Sequence, residues 1–148
     1  MVWMMMLACL VAGAPIPVQA GVNANLSRQA LSHPVLAALV SFAVGTVALL
    51  CVALAMRLPL SNLQKISSTP LWMWTGGFLG AFLVTATVVV APRLGASVML
   101  ALLVASQMLA SVLMDHFGVL GYPQHTATPG RLLGAALIVV GVLLIRRF

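Results

Sequence analysis

The chain has 148 residues, of which 63% are hydrophobic and 5% charged, with seven Lys or Arg against one Asp or Glu and a formal charge of +6. Soluble domains are about 45–50% apolar and about 25% charged, so so few charged side chains cannot clothe a water-soluble fold of this size; the composition requires an integral membrane protein. Nucleic-acid binding is excluded as the reason for the positive balance: Arg28, Arg57, Lys65, Arg93 and Arg131 stand singly at the edges of apolar runs, and only Arg146 and Arg147 are adjacent, the pattern of headgroup anchoring.

Residues 1–20 end like a signal peptide, on Val18-Gln19-Ala20, but no Lys or Arg precedes the apolar run. The stretch is therefore expected to remain as a first membrane helix over about 2–28, bent where Pro15 and Pro17 each remove a backbone donor. Gln19 and Asn23 share a helix face beyond the bend. Either they line a polar cavity or they are hydrated at the membrane edge. Ser32-His33-Pro34 reads as a turn and helix start, and an apolar span follows over 34–56 with Ala37, Ser41 and Gly45 as a small-residue face. Residues 57–70 (RLPLSNLQKISSTP) form the one clear loop. A third span, 71–91, opens with Trp72 and Trp74 at an interfacial position and carries Gly76, Gly77 and Gly80, which suit close helix packing. Trp74 is also a candidate aromatic wall for a path. Pro92-Arg93-Leu94-Gly95 predicts a very short turn into a fourth span over about 94–114.

That fourth span carries the chemistry. Gln107, Ser111 and Asp115 recur every four residues and so stack on one face of an otherwise apolar helix. Asp115 is the chain's only carboxylate side chain. An acid in a membrane helix costs about 2.5–3.5 kcal/mol at the helix centre, which marks such residues as functional candidates. Three readings stay open: an interfacial residue paired with a nearby Arg, a proton or cation site on a transport path, or a brace for the loop at Gly118. The deeper Gln107 and Ser111 weigh towards a path. His116 adjoins Asp115 but does not share its helix face. His33, His116 and His125 lack the spacing and cysteine ligands of a metal site, so no metal or other cofactor is expected. Cys9 and Cys51 lie in apolar runs as small hydrophobes. Gly118, Gly121 and Pro123 break the helix, Thr128 caps a fifth span over 129–145, and Gly130 and Gly134 there are further packing or dimer candidates. No Ser-His-Asp arrangement or phosphate loop has usable spacing, so no enzyme is expected.

Three stretches carry a family resemblance: W-x-G-G-x-L-G-A from Trp74 to Ala81, P-R-L-G from Pro92 to Gly95, and S-Q-x-x-x-S-x-x-x-D-H-F-G-x-x-G from Ser106 to Gly121. With the Gln19/Asn23/Asn25 region and Arg131-x-x-Gly134, the chain resembles the YdcZ-like family of the drug/metabolite transporter superfamily over nearly its whole length. The resemblance implies an all-α, five-helix half of a ten-helix transporter in the inner (plasma) membrane, assembled by pairing two chains. It also implies kinship with small multidrug resistance exporters, whose first-helix Glu has no counterpart here. The expected activity is alternating-access movement of a small metabolite or organic cation. Gln19, Asn23, Trp74, Gln107, Ser111 and Asp115 are the candidate path, and the partner is a second, antiparallel copy or a homologous chain. Charge counting supports such pairing independently. One membrane side holds Arg57, Lys65 and Arg131 and the other Arg28, Arg93, Arg146 and Arg147, a bias of one that barely sets orientation. The rival expectation is a non-transporting interaction subunit of a larger membrane complex, which glycine-rich faces suit equally well.

Overall fold

The computed structural model describes residues 2–148 and is all-α, with no strand among the described residues. Lipid offers no hydrogen bonds, so a chain this apolar satisfies its backbone within helices. Five helical segments are long and apolar enough to cross a membrane: Val2–Leu31, Pro34–Ala55, Leu71–Leu94, Ala96–Phe117 and Pro129–Arg147. The chain forms two compact units, one ending at Pro92 and the other running from Arg93 to Phe148.

In the first unit, α1 (Val2–Gly13) and α2 (Pro15–Leu26) make up most of the first span. Ala14 keeps helical dihedrals between them, and Pro15 and Pro17 each leave one carbonyl of the preceding turn without its amide donor. A π-helical turn (Ser27–Leu31) carries the span three residues past the expected end, and Ser32 stops it at φ 55°. His33 then caps α3 (Pro34–Ala55), its Nδ1 accepting from the Val35 amide at 3.3 Å. The far end of α3 closes with Arg57 at φ 53°: the Leu58 amide reaches Ala53 O and the Arg57 amide reaches Leu54 O, each at 3.0 Å. This is a Schellman closure with arginine where glycine is usual.

The expected loop at 57–70 is largely ordered. Leu60–Ser68 forms a 3₁₀ helix, with three residues per turn, so Leu60, Leu63 and Ile66 fall on one side. A second 3₁₀ turn (Leu71–Trp74) leads into α4 (Thr75–Leu94). Here the expectation of a Pro92–Gly95 turn is corrected. Pro92 sits inside the last turn of α4, and Gly95 alone, at φ 79°, makes the break.

The second unit packs α5 (Ala96–Phe117) against α6 (Pro129–Arg147). Met99, Ala105, Val112, Ala135 and Val142 are its buried apolar residues. The fourth span therefore runs three residues beyond the expected 114, which places Asp115 and His116 inside the final helical turn. Gly118, at φ 61°, ends α5, and the Thr128 hydroxyl accepts from the Arg131 amide at 3.4 Å to start α6.

Candidate functional site

The polar side chains of the spans fall into an uncharged group near mid-span and a charged group near one end of α5. Gln19 stands about 4 Å along the axis from the middle of the first span, and Ser41 and Thr46 stand within about 5 Å of the middle of α3. Between these helices lies a cavity of about 230 Å³ lined by Gln19, Ser41, Phe42, Gly45, Thr46 and Leu49. Beside it Asn23 is buried, and its Nδ2 donates to Ser41 Oγ at 3.2 Å. Burial of an amide in an apolar medium is tolerable only with such a partner. Asn23 is thus enclosed between two helices, whereas Gln19 stays exposed. Asn25, two residues on, is held by Arg28, whose Nη2 donates to Asn25 Oδ1 at 2.7 Å. Thr46 donates back to Phe42 O at 2.8 Å, as hydroxyls in apolar helices do.

On α5, Gln107 lies at the helix midpoint and Ser111 one turn on, both exposed. Neither side chain has a partner among the described residues of the chain. Asp115, on the same face, is about 13 Å from the midpoint, near the edge of a hydrocarbon core whose half-thickness is about 15 Å. Its Oδ2 accepts from Arg131 Nη2 at 2.5 Å, with Arg131 36% and Asp115 23% exposed.

That ion pair belongs to a wider clasp. Arg131 Nη1 donates to His125 O at 3.0 Å, and the His125 amide donates to Asp115 O at 2.8 Å. Gln124 Nε2 donates to His116 O at 3.1 Å, and His116 Nδ1 accepts from the Ala127 amide at 3.2 Å. The last turn of α5, the first turn of α6 and the 118–128 loop are thus tied through both side chains and backbone. Two of the readings open for Asp115, pairing with Arg and bracing the loop, describe one and the same arrangement. His116 bonds away from Asp115, and among the described residues no three His, Cys, Asp or Glu side chains gather into a metal-sized group.

Trp74 lies about 13 Å from the middle of the third span, beside a cleft of about 430 Å³ shared with Ile66, Thr69, Met73 and Gly77. It is placed at the mouth of the membrane rather than at its centre. The packing glycines divide. A Cβ at Gly80 would come within 3.3 Å of the Phe42 ring, so this glycine does permit a close approach of α3 and α4. At Gly76, Gly77, Gly130 and Gly134 a Cβ would meet nothing within 4 Å, so within a single chain these four positions face open space.

A family model described as "Putative inner membrane exporter, YdcZ" matches residues 4–144. The chain belongs to the YdcZ family. It is 37% identical over 84 residues to the inner membrane protein YdcZ of Escherichia coli (strain K12); the matched stretch spans 57% of this chain and 56% of that protein. No solved structure matches. Membership of this family and five apolar helices make this a multi-pass inner-membrane protein.

The sequence pattern pointed to Gln19, Asn23, Gln107, Ser111 and Asp115 but not to their neighbours. Ser41 was legible only as a small residue, although a buried Asn23 needs a hydroxyl or carbonyl at similar depth and Ser41 is the hydroxyl α3 offers there. Phe42 and Thr46 gave no signal beyond an apolar span. Arg131 was on the correct membrane side to meet Asp115, but the pairing depends on a loop path that only the fold displays.

Proposed function

We propose that this chain is half of a transporter that moves a small metabolite or organic cation by alternating access, paired with a second, antiparallel copy. One observation carries the reading: Gln107, at the middle of a membrane-spanning helix, and Ser111 beside it are exposed and without partners among the described residues. Facing lipid, each unsatisfied polar group would cost several kcal/mol. Facing a watery path or a partner's polar surface, they cost little. Midplane polar sites at the junction of inverted halves are the usual architecture of secondary transporters. In this reading Gln19, Asn23, Gln107 and Ser111 line or support the path, Trp74 stands at its mouth, and Asp115 with Arg131 closes the end of the α5–α6 hairpin.

Solute flux from liposomes containing the purified protein tests this directly. The wild-type chain should release solute, and Gln107→Leu should abolish release while leaving the folded protein intact. A second reading, a non-transporting subunit packed into a larger complex, is favoured by the open faces at Gly76, Gly77, Gly130 and Gly134. It gives no flux from the purified chain with any solute.

A further inference from the structure

We propose that the cavity between α2 and α3 is a binding subsite for a small, uncharged solute, recognised by several hydrogen bonds and one aromatic side chain. The inference rests on the transport reading above and narrows its substrate class. Its wall carries a defined set of polar groups. Gln19 brings an amide that both donates and accepts and has no partner among the described residues. Ser41 accepts from Asn23, which leaves its own O–H free to donate. Thr46 spends its proton on Phe42 O, which leaves its oxygen free to accept. Phe42 supplies an aromatic side chain, and Gly45 leaves room beside it. At about 230 Å³ the space is smaller than the roughly 300–1,000 Å³ pockets of drug-sized ligands, so a small metabolite is the fitting size.

Charge excludes the other classes. No lining residue is ionisable, and the cavity sits near mid-span, where an isolated ion is strongly disfavoured. A cation would lie here without a counter-charge, because the chain's only acidic side chain is held by Arg131 and a single Phe ring is a weak substitute for a carboxylate at this depth. A second copy of the same chain brings the same acid, held in the same way, so homodimer assembly adds no free carboxylate. An anion fares no better, because Arg28, Arg57, Lys65, Arg93, Arg131, Arg146 and Arg147 all stand at span ends or in connections. Asn23, itself buried, fixes the Ser41 hydroxyl and acts as a positioning residue for the site.

The test loads proteoliposomes with a mixture of uncharged polyols and amides (mannitol, xylitol, N-acetylglucosamine), organic cations (choline, tetraethylammonium) and anions (lactate, succinate). Retention of each is compared with protein-free vesicles. A parallel arm measures thermal stabilisation of the purified protein by each class. The uncharged solutes should leave selectively and should stabilise the protein. Gln19→Leu should cut that efflux at least tenfold and remove the stabilisation with the melting temperature of the unliganded protein little changed, and Phe42→Leu, which keeps most of the packing against Gly80, should weaken both efflux and stabilisation. Gln19 is exposed, so its replacement does not open a core. Release of cations or anions with the uncharged solutes retained would overturn the inference and leave the transport reading standing. Release of no class would overturn the transport reading. Stabilisation by uncharged solutes that depends on Gln19 would then still support the binding site, and its absence would overturn the site as well.

Discussion

Between α2 and α3 the polar side chains are uncharged, lie near mid-span and hold hydrogen-bonding capacity in reserve. Gln19 has no partner among the described residues, and Ser41 and Thr46 are each only partly used. Where α5 meets α6 the polar side chains include both signs of charge, lie near the membrane edge and are bonded to one another. Asp115, Arg131, His116 and Gln124 all bind the connecting loop or its flanks. The cost of an unmet group explains the contrast. A charge in lipid is too expensive to leave unpaired, so the chain keeps its charges at the edge and neutralises its single acid. A neutral amide or hydroxyl can wait for water, a partner chain or a solute. Fixed charge therefore serves closure of the hairpin, and open hydrogen-bonding groups serve recognition.

The largest expected effect concerns Gln107, an open mid-span amide on α5 as Gln19 is on α2. Gln107→Leu should lower flux at least tenfold and change stability by no more than about 0.5 kcal/mol, because its side chain has no partner to lose among the described residues. Flux and thermal melting on the same preparation check both parts. Next comes the closed half. Arg131→Met strips Asp115 of its counter-charge and His125 O of a donor, and should destabilise by about 1–2 kcal/mol, moderated by partial exposure of the pair. Asp115→Asn should cost less, and the double variant less than the sum of the two, as for groups sharing one network. If Asp115 instead couples transport to an ion, Asp115→Asn abolishes ion-driven flux with no loss of folded protein, and the contrast fails at that residue.

Glycine substitutions sharpen the division between contacts within the chain and contacts beyond it. Gly80→Leu pushes into Phe42 and should cost about 1–3 kcal/mol of stability, displacing a wall of the cavity as it does so. Gly130→Leu and Gly76→Leu meet open space and should leave the single chain's stability intact while weakening self-association. Chemical unfolding and cross-linking in the bilayer separate the two outcomes. The smallest expected effect concerns orientation. Two added arginines in the 57–70 loop turn three against four into five against four. Sidedness reporters at the C-terminus should then shift from a mixed population towards an N-terminus on the cytoplasmic side.

The spans were legible because long apolar stretches in lipid have essentially one solution, and the caps at His33 and Thr128 stood where proline follows a polar residue. Span ends were less legible. Pro92 looked like a turn residue, yet it stays in the last turn of α4 and the break falls at the left-handed Gly95. Residues 60–68 looked irregular because Ser and Asn favour turns, although the three-residue recurrence of Leu60, Leu63 and Ile66 was a 3₁₀ signal in plain sight. The polar stripe on α5 was fully legible from its four-residue spacing. What its members bond to was not, since the partner of Asp115 is set by how the 118–128 loop folds back, and the partner of Asn23 by the packing of α2 on α3.

Water access at Gln107 tests the central claim most directly. In a background with the exposed Cys9 and Cys51 replaced by Ala, a single cysteine is placed at Gln107 or, nearly opposite on the helix, at Leu109. Intact vesicles are then treated with a membrane-impermeant maleimide, which needs a hydrated thiol to react. Rapid labelling of Gln107→Cys beside an unreactive Leu109→Cys is the expected result, because the polar face of α5 borders a path and the opposite face borders lipid. Equal, negligible labelling at both positions would contradict the account.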